Sequence, residues 1–472
     1  MARILLSHGY FLADDPKEQV IMKPYPPLGL LYLSAWLDKH GVGNEVFDAT
    51  FSTKIQFKEN LLAAPPRILA LYVNLMTKIQ LLELIKWVRN EPVLQNTLIV
   101  LGGPDVSNNT EPYLQHGADL LVLGEGEQTL LEIVQTTLLL HERFQPKAFQ
   151  TIPGLALRWP DGSVFKTMTR EKIRDLDTLP FPNRSKINLH QYLDAWKTRH
   201  GQSAVSLSTQ RGCPYTCRWC STAVYGQSYR RRSPQNVVDE IILLQKNYDF
   251  DLIWFVDDVF TISHKWLEAF HDELKARHVK VRFECITRAD RLTEPVLGLL
   301  KSAGCFRVWI GAESGSQRIL DAMDRRVDAK QVREMIQAAR KTGIETGTFI
   351  MLGYPGETEA DIVETLQHLK VSNPDLFTIT VAYPITGTGL YEEVAREIHS
   401  ELPWEKRSDR DLDFPRSYPR RYYDFAVRWV VNEVHWHKKR LSGRISVKLM
   451  AKIMLARLGM WWFRKIKFGG AG

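Results

Sequence analysis

Three of the five cysteines of this 472-residue chain lie in one short segment, at Cys213, Cys217 and Cys220. The C-x3-C-x2-C spacing brings three thiolates to one loop, whereas an iron–sulfur cluster normally takes four cysteine ligands. A metal centre without a fourth protein ligand keeps one coordination position open, which is the arrangement that catalysis requires. The segment therefore predicts a reactive [4Fe-4S] cluster held by these three cysteines.

Other uses of the cysteines fit the sequence less well. Disulfides are disfavoured because the cysteine count is low and odd and no hydrophobic signal segment is found. A structural zinc site needs a fourth Cys or His at a partner spacing, and the sequence has no second C-x2-C pair. Cys285 and Cys305 stand alone in apolar runs, where we expect small buried hydrophobic residues.

The cysteine spacing, with Trp219 directly before the third cysteine, resembles the signature of the radical S-adenosylmethionine (SAM) superfamily. In that family the cysteines bind three irons, and the amino and carboxylate groups of SAM chelate the fourth. Reduction of the cluster then cleaves SAM and yields a 5'-deoxyadenosyl radical. The resemblance implies that Cys213, Cys217 and Cys220 are the metal ligands and catalytic residues, and that Trp219 lies near the adenine.

The elements that must position this loop are alternating apolar runs and helical segments. Such alternation is typical of a parallel α/β sheet or a partial barrel. Six strands are predicted, at 204–208, 252–256, 281–286, 306–310, 346–352 and 376–381. They indicate an open (β/α)6 barrel, whose chemistry gathers at the carboxyl ends of the strands. The cysteine loop follows the first strand there.

Polar and glycine residues follow other strands of this predicted barrel. Carboxylates at strand ends can bind the ammonium or ribose hydroxyls of a nucleoside, and glycine permits close backbone approach. The predicted SAM contacts are Asp257, Asp258, Glu313, Ser314, Gly353 and Glu357. A structural use fits each motif too, since the aspartates can cap the following helix and 353–357 can form a turn. Radical SAM proteins resemble this chain in the order of these segments and in the turn at 384–390.

The first 150 residues predict a second α/β unit. Its strands are expected at 3–6, 45–47, 68–73, 98–101 and 120–123, separated by helices at 28–39, 78–89 and 130–139. This order predicts a doubly wound, Rossmann-like domain. No G-x-G-x-x-G follows the first strand, which disfavours a nicotinamide dinucleotide.

Glycine-rich turns at the ends of these strands suit a large flat or phosphate-bearing ligand. The segment resembles the cobalamin-binding domain that precedes the barrel in one large radical SAM subfamily. The resemblance implies cobalamin contacts from a set of turn residues: Gly29, Asn74, Gly102, Gly103, Pro104, Gly124, Glu125 and Gly126.

His40 fits D-x-H-x-x-G, the motif that supplies a cobalt ligand in methionine-synthase-like proteins. In that family the motif follows the first strand, whereas here it ends the first long helix, where Gly41 or Gly43 would be a cap. A histidine is also favoured at the negative end of a helix dipole. We therefore expect no histidine ligand to cobalt from this chain; a ligand from another strand end, or none, stays open.

The carboxyl-terminal tail differs in composition from the rest. Residues 415–472 contain 14 Lys or Arg and 2 Asp or Glu, a balance of 14 − 2 = +12, whereas the whole chain carries +8. The remaining residues thus carry 8 − 12 = −4. Within 444–468, cations alternate with apolar residues and tryptophans, which fits a helix on an anionic membrane surface. A tail helix packed on the barrel with its basic side in solvent fits equally, and no nucleic-acid reader motif is found.

Together these features predict an α/β protein in four parts: 1–150 a Rossmann-like cobalamin-binding domain, 151–200 a proline-containing linker, 201–395 a radical SAM core, and 396–472 a basic helical region. The predicted enzyme uses a [4Fe-4S] cluster, SAM and cobalamin to methylate an unactivated carbon. The alternatives are a radical cyclase or oxidase resembling the anaerobic magnesium-protoporphyrin monomethyl ester cyclase, and a non-catalytic cobalamin sensor or carrier.

The expected partners are a small-molecule substrate and a reducing electron donor such as flavodoxin or ferredoxin. A lipid, isoprenoid or tetrapyrrole would suit a membrane-facing tail, and no nucleic acid is expected. The predicted location is the cytoplasm, with peripheral contact to the inner face of the membrane as an option. The sequence does not distinguish substrates, nor does it indicate an oligomeric state.

Overall fold

A computed structural model describes residues 2–140, 144–221 and 226–464 of the chain. Two sheets organise it, a mostly parallel one in the amino-terminal part and a fully parallel one in the middle. The first sheet has seven strands in the order β2-β1-β3-β4-β5-β6-β7. They are β1 (Ile4–His8), β2 (Glu45–Phe47), β3 (Ile68–Tyr72), β4 (Leu98–Gly102), β5 (Leu120–Val122), β6 (Leu155–Arg158) and β7 (Val164–Lys166).

Strands β1 to β5 pair in parallel, and helices cover both faces of the sheet. Because both faces are buried, the strands are continuous apolar runs rather than alternating ones. The helices in this part are α1 (Pro16–Ile21), α2 (Leu28–Lys39), α3 (Lys54–Ala63), α4 (Lys78–Asn90), α5 (Thr110–Gln115), α6 (Glu127–Leu139) and α7 (Pro146–Phe149). The predicted Rossmann-like unit is therefore present.

The segment predicted as a linker, 151–200, contributes structure of its own. Strands β6 and β7 extend the first sheet in antiparallel pairing, and α8 (Leu189–His200) leads into the second sheet. The Tyr192 hydroxyl donates to Asp48 at 2.8 Å, and Trp196 Nε1 donates to the Pro24 carbonyl at 2.9 Å. These contacts attach α8 to the first unit.

The second sheet has six parallel strands in the order β15-β14-β13-β12-β11-β8. They are β8 (Ala204–Leu207), β11 (Leu252–Phe255), β12 (Phe283–Thr287), β13 (Cys305–Glu313), β14 (Glu345–Leu352) and β15 (Leu376–Val381). The two edges, β8 and β15, leave the barrel open, as the predicted (β/α)6 fold requires. A short antiparallel ribbon, β9 (Gln210–Arg211) with β10 (Arg230–Arg231), follows β8.

Helices pack around the outside of this barrel and bury one large apolar core. Ser263 caps α10 by accepting from Trp266 N at 3.2 Å, and Thr293 and Asp328 cap two later helices in the same way. The barrel helices are α9 (Pro234–Asn247), α10 (His264–Ala276), α11 (Glu294–Ser302), α12 (Gln317–Ala322), α13 (Ala329–Lys341), α14 (Glu359–Ser372) and α15 (Gly389–Val394).

Two long helices end the described chain: α16 (Arg420–Leu441) and α17 (Val447–Arg464). Helix α16 packs on β15 and α14, and α17 runs back along α16. The tail prediction over 444–468 includes residues 465–468, which lie outside the described residues. No helix within the described ranges has the length and apolar content needed to cross a membrane.

Candidate active site

The cysteine motif lies in the loop between β9 and β10, at the carboxyl end of β8. Cys213 is buried and forms an isolated bridge with Gln227, while Cys220 N donates to the Cys217 carbonyl at 3.1 Å. Arg218 N donates to the Met323 carbonyl at 3.1 Å and its own carbonyl accepts from Leu390 N at 2.7 Å. The loop is thus attached to the end of α12 and to the first turn of α15.

All three motif thiols are free, and Cys217 lies close enough to Cys213 and Cys220 to contribute to the raised pKa of both. Burial, followed by the nearby Asp258 carboxylate, raises the pKa of Cys220 to about 12. Burial also raises the pKa of the Cys213 thiol. Because iron binds the thiolate, loading a cluster here would release these protons.

Two buried arginines approach the middle cysteine of the motif. Arg288 Nη1 lies 3.7 Å from the Cys217 sulfur, and Arg325 Nη1 lies 3.6 Å from the same atom. Arg288 follows β12 and Arg325 follows α12, so neither is near the motif in sequence. Their positive charges would offset the negative charge of a sulfur-ligated cluster. These residues were not predicted, although Arg288 stands at a strand end where such side chains gather.

Among the described residues, no three Cys, His, Asp or Glu side chains converge as ligands of a single metal ion do. Cysteines that each bind a different iron of one cluster need not converge on one point. The donor chemistry of the loop, with three sulfurs and two flanking arginines, fits an iron–sulfur cluster better than one zinc ion. Cys285 and Cys305 lie buried in β12 and β13, as predicted.

Trp219 packs beside Tyr354 and Leu390 in a small apolar cluster, with the Arg325 guanidinium 5.8 Å from its ring centre. This cluster also contains Ile319 and Met323 from α12 and its end. The indole thus packs the cysteine loop against the residues that follow β14 and against helices α12 and α15. The predicted contact with adenine stays a prediction.

The two aspartates after β11 have different environments. Asp257 is buried and accepts from Thr209 N at 2.8 Å and Gln210 N at 3.2 Å, so it fixes the chain between β8 and the cysteine loop. Asp258 lines the cavity beside that loop, and burial, then the neighbouring Asp257, raises its carboxyl pKa. Asp258 is therefore the better placed of the two to meet a bound cation. The helix cap after them is Ser263 instead.

Glu313 ends β13 at an irregular step in the strand pairing, with a left-handed backbone (φ 62°). Its carboxylate lies 4.0 Å from Arg325, and burial raises its pKa although Arg325 and Arg288 oppose the shift. The Ser314 hydroxyl is buried within 3.2 Å of the Thr365 hydroxyl. Glu313 thus belongs to the group around the cysteines, whereas Ser314 fastens the strand end to α14.

The turn after β14 is held together by a hydrogen bond to Glu357, a residue of the same turn. Gly353 N donates to Glu357 Oε2 at 2.6 Å, and burial raises the pKa of Glu357 to about 8. Gly353 requires its glycine because its φ is 81° and a Cβ would press on Arg416 and Tyr423. The geometry indicates a structural turn, and a SAM contact from Gly353 or Glu357 stays a prediction.

Three cavities that share Gly29 lie around the first turn of α2, and one of them lies between the first unit and the barrel. A seam cavity of about 230 Å³ is lined by Tyr32 from the first unit and by Arg211 and Asp258 from the second. A slot of about 100 Å³ opens between the ends of β3, β4 and β5, and a wider cavity of about 500 Å³ opens beside β1 and β3. Gly29 lines all three cavities.

Several predicted cobalamin contacts line the slot and the wider cavity. Gly102, Gly103, Gly124, Glu125 and Gly126 line the slot, and Asn74 lines the wider cavity. A side chain on Gly29 or Gly124 would meet no atom within 4 Å, so open space lies over both. Gly103 has a different reason to be glycine, since a Cβ there would collide with the Val73 carbonyl.

Some residues predicted to contact cobalamin either have hydrogen-bond partners within the protein or do not line the cavities. The Asn74 side chain accepts from Met76 N at 2.9 Å and so forms a local turn. Pro104 lies in the turn after β4 but does not line the three cavities. Glu125 accepts from Arg230 at 2.8 Å and from Arg211 at 3.3 Å, so its carboxylate is paired with barrel residues.

Two histidines of the first unit, His40 and His8, each have a hydrogen-bond partner within the protein. His40 lies just beyond the end of α2 with its Nδ1 2.8 Å from the Trp36 carbonyl, as the cap interpretation predicts. His8 lines the wider cavity, but its Nε2 lies 3.1 Å from Asp48 and its Nδ1 accepts from Tyr10 N at 3.2 Å. Both ring nitrogens of His8 are thus engaged, and His40 does not line any of the three cavities.

Comparison with known proteins agrees with the geometry. Residues 207–369 match the family described as the Radical SAM superfamily. This part of the chain belongs to that superfamily. The match spans the cysteine loop and the strands from the end of β8 to α14, so the prediction of a radical SAM enzyme is confirmed.

Relatives and structures similar to the chain extend beyond the barrel. It is 27% identical over 403 residues to an uncharacterized methyltransferase of Pyrococcus horikoshii, covering 84% of both chains. It is 28% identical over 411 residues to the anaerobic magnesium-protoporphyrin IX monomethyl ester cyclase of Rubrivivax gelatinosus, covering 84% of this chain and 70% of that one. The chain is therefore related to both a methyltransferase and a cyclase.

The radical enzyme OxsB, solved with aqua-cobalamin and SAM bound, superimposes with a TM-score of 0.72 at 17% identity, covering 98% of this chain and 72% of OxsB. The methyltransferase TsrM of Kitasatospora setae, solved with cobalamin and a [4Fe-4S] cluster, gives 0.68 at 19% identity, covering 84% and 75%. These likenesses confirm the predicted fold class, and the ligands of both neighbours agree with the predicted cofactor set.

Proposed function

We propose that this chain is a cobalamin-dependent radical SAM enzyme that methylates an unactivated carbon of a small molecule. The observation that carries the proposal is the seam cavity, which lies between the first turns of α2 and two residues that flank the motif cysteines, Gly212 and Ser221. Gly29 and Arg211 line both this cavity and the slot beyond it. A ligand bound in the slot would thus lie next to the cavity that borders the cysteine loop.

The side chains at the seam have separable tasks in this proposal. Cys213, Cys217 and Cys220 hold the cluster, and Arg288 and Arg325 keep positive charge against Cys217. When bound, the cluster with SAM supplies hydrogen abstraction and cobalamin supplies the methyl group. Asp258 and Glu313, two carboxylates with raised pKa beside the loop, are the groups we assign to a bound ammonium.

Part of the seam wall is apolar, and we expect this part to keep water away from the reacting atoms. Leu28, Leu179, Phe181 and Val256 line the cavity beside its polar residues. Closing radicals off from solvent prevents side reactions, and a fixed seam holds two reactants in one orientation. We expect the substrate carbon to enter between the first sheet and the barrel mouth, and a lipid, isoprenoid or tetrapyrrole would fit such an apolar entrance.

A cyclase is the second candidate, because the similarity to the magnesium-protoporphyrin cyclase covers as much of this chain as the similarity to the methyltransferase. The products separate the two candidates. Methylation would yield 5'-deoxyadenosine and S-adenosylhomocysteine together, whereas cyclisation would yield 5'-deoxyadenosine without transfer of a methyl group.

Anaerobic reconstitution with iron, sulfide and hydroxocobalamin tests the proposal. The parent chain should bind iron and cobalt and cleave SAM when reduced by flavodoxin or dithionite. Cys217→Ala should lose cleavage, while Cys285→Ala, which removes a buried thiol outside the motif, should retain it. Equal cleavage by parent and Cys217→Ala would refute the cluster assignment. Cobalamin binding with no SAM cleavage in the parent would identify a carrier or sensor instead.

A further inference from the structure

Helix α17 has two apolar faces, and within the described residues one of them is covered while the other is exposed. The covered face lies against α16, where Ala456 and Met460 are buried and Phe463 stacks on Phe425 with ring centres 5.6 Å apart. Gly459 permits this approach, since a Cβ there would collide with the Phe425 ring. This face accounts for the packing of the helix on the barrel.

The opposite face consists of large apolar side chains that stay exposed. Each of them is between 44% and 76% exposed, and they are Val447, Met450, Met454, Leu455, Leu458, Trp461 and Trp462. At 3.6 residues per turn they fall within an arc of about 140°. Isolated exposed apolar residues need no explanation, but a continuous row of this kind marks an interaction surface.

Cations border this apolar row on both sides. Lys448 and Lys452 lie along one border, and Arg457 and Arg464 lie along the other. The sequence from 434 to 472 contains no Asp or Glu. An apolar strip between two basic borders is the pattern of a helix that lies in the interface of an anionic bilayer.

We infer that α17 docks this chain onto the surface of an anionic lipid membrane, with the apolar row in the interface and the basic borders at the headgroups. A symmetric contact between two copies of α17 would bring these cations against each other, which disfavours a dimer through this face. A nucleic acid would leave the central apolar row without a partner.

The helix is oriented so that docking would bring the barrel mouth near the membrane. Arg464, at the end of α17, pairs with Glu359 at 3.1 Å, and Glu359 begins α14 directly after the turn that follows β14. The tryptophans therefore stand at the same end of the barrel as the cysteine loop. Docking itself does not depend on the proposed reaction, so the two can fail separately.

Vesicle flotation with the full chain tests the inference. The parent should float with vesicles of equal parts phosphatidylglycerol and phosphatidylcholine at about 0.1 M salt, and weakly or not at all with phosphatidylcholine alone. Leu458→Ser with Trp462→Ser should abolish flotation by removing apolar contact. Lys448→Glu with Lys452→Glu should weaken it by about 30-fold or more, since each cation near the surface contributes attraction.

Matched controls carry the same changes elsewhere on the surface. Leu139→Ser with Met168→Ser replaces two exposed apolar residues, and Lys86→Glu with Lys265→Glu reverses two exposed lysines. These variants should float like the parent. Equal losses in the controls, or no flotation of the folded parent, would overturn the inference. Light scattering that shows a dimer dissociated by Leu458→Ser with Trp462→Ser, or binding to RNA but not vesicles, would also overturn it.

Discussion

At the scale of single residues, the cysteine loop depends on charges that come from distant parts of the chain. Arg288 and Arg325 both reach the Cys217 sulfur, and Glu313 lies near Arg325. Hydrogen bonds and net charge around sulfur ligands set the reduction potential of a cluster. We therefore expect these arginines to set part of the reduction potential of a bound cluster.

Arg325→Gln should make the reduction potential of the reconstituted cluster more negative, because a cation near the sulfurs stabilises the reduced, more negative state. Arg326→Gln is the matched control, since Arg326 is exposed and pairs with Asp324 instead. A redox titration followed by electron paramagnetic resonance measures both. Equal potentials in the parent and Arg325→Gln would show that the guanidinium has no electrostatic role.

His368 in α14 offers a test of stability against pH. Its ring is buried, neither ring nitrogen has a hydrogen-bond partner in the described part of the chain, and burial lowers its pKa to about 4. In the unfolded chain the histidine has its ordinary pKa of about 6.5. Between pH 6.5 and pH 4 the unfolded chain therefore binds more protons than the folded chain. Stability is therefore lost as pH falls through this window, by about 2 kcal/mol from pH 7 to pH 5.

In His368→Leu this contribution to the pH dependence should disappear, with little loss of stability at pH 7 because no hydrogen bond is broken. The exposed His190→Leu is the control and should keep the slope of the parent. Urea denaturation at several pH values gives the unfolding free energies. Parallel curves for the parent and His368→Leu would show that this ring does not stay neutral in the fold.

The residue types at strand ends predicted where the site lies, but they did not predict the role of each residue in it. Asp257, Asp258 and Glu313 do gather near the cysteine loop, and both aspartates line the seam cavity, but Asp257 already accepts backbone N–H groups from Thr209 and Gln210. Spacing along the chain cannot tell a carboxylate that fixes a loop from one that faces a ligand. Arg288 and Arg325 were missed for the same reason, because their approach to Cys217 is a tertiary contact.

At the scale of elements, the amino-terminal turn of α2 stands between the seam cavity and the slot. Gly29 is the second residue of this helix and has open space over it. A side chain at this position costs the fold nothing, and glycine is otherwise unfavourable within helices. The absence of a side chain is therefore explained by the cavity rather than by the backbone.

Gly29→Leu should fold at least as stably as the parent but bind cobalamin about 10- to 100-fold more weakly, because the new side chain fills the shared cavity wall. Gly298→Leu is the matched control, since Gly298 also lies in a helix with open space over it but away from the cavities. Titration of the visible absorbance of hydroxocobalamin measures the affinities. Unchanged affinity in Gly29→Leu would place the corrin elsewhere.

Alternation of apolar runs predicted every strand of the barrel and the five parallel strands of the first sheet, with end positions within a few residues. The pair β6 and β7 was missed, because the prolines nearby suggested an extended path and short edge strands carry little periodicity. Helix α17 was predicted with one apolar face, whereas Ile453 packs against the barrel core together with Ala456 and Met460 and a second row faces outward.

At the scale of the whole molecule, buried ion pairs join the first sheet to the ribbon that carries the cysteine loop. Arg211 in β9 pairs with Glu127 at the start of α6 and with Glu125 beside it, and Arg230 in β10 also pairs with Glu125. All of these side chains are largely withdrawn from solvent. The turn expected to contact cobalamin is thus connected to the residue two places before Cys213.

Arg211→Met should reduce the unfolding free energy by about 3–5 kcal/mol, because it leaves carboxylates buried without their partner. Adding Glu127→Met should recover part of that loss. Arg174→Met, which removes an exposed arginine near Glu171, should change stability by less than about 1 kcal/mol. Guanidinium denaturation supplies the values, and strictly additive losses in the double variant would contradict coupling across the seam.

The same ion pairs limit how this protein can be recombined with its relatives. A hybrid that joins a foreign amino-terminal module to this barrel would keep Arg211 and Arg230 but inherit whatever side chains that module carries at Glu125 and Glu127. A hybrid without matching carboxylates would bury the charges of Arg211 and Arg230 without partners where the two modules meet. We expect such a hybrid to fold poorly and to expose apolar residues. Swaps that transplant the acidic turn together with the arginine ribbon should therefore be the ones that yield soluble, reconstitutable chimaeras.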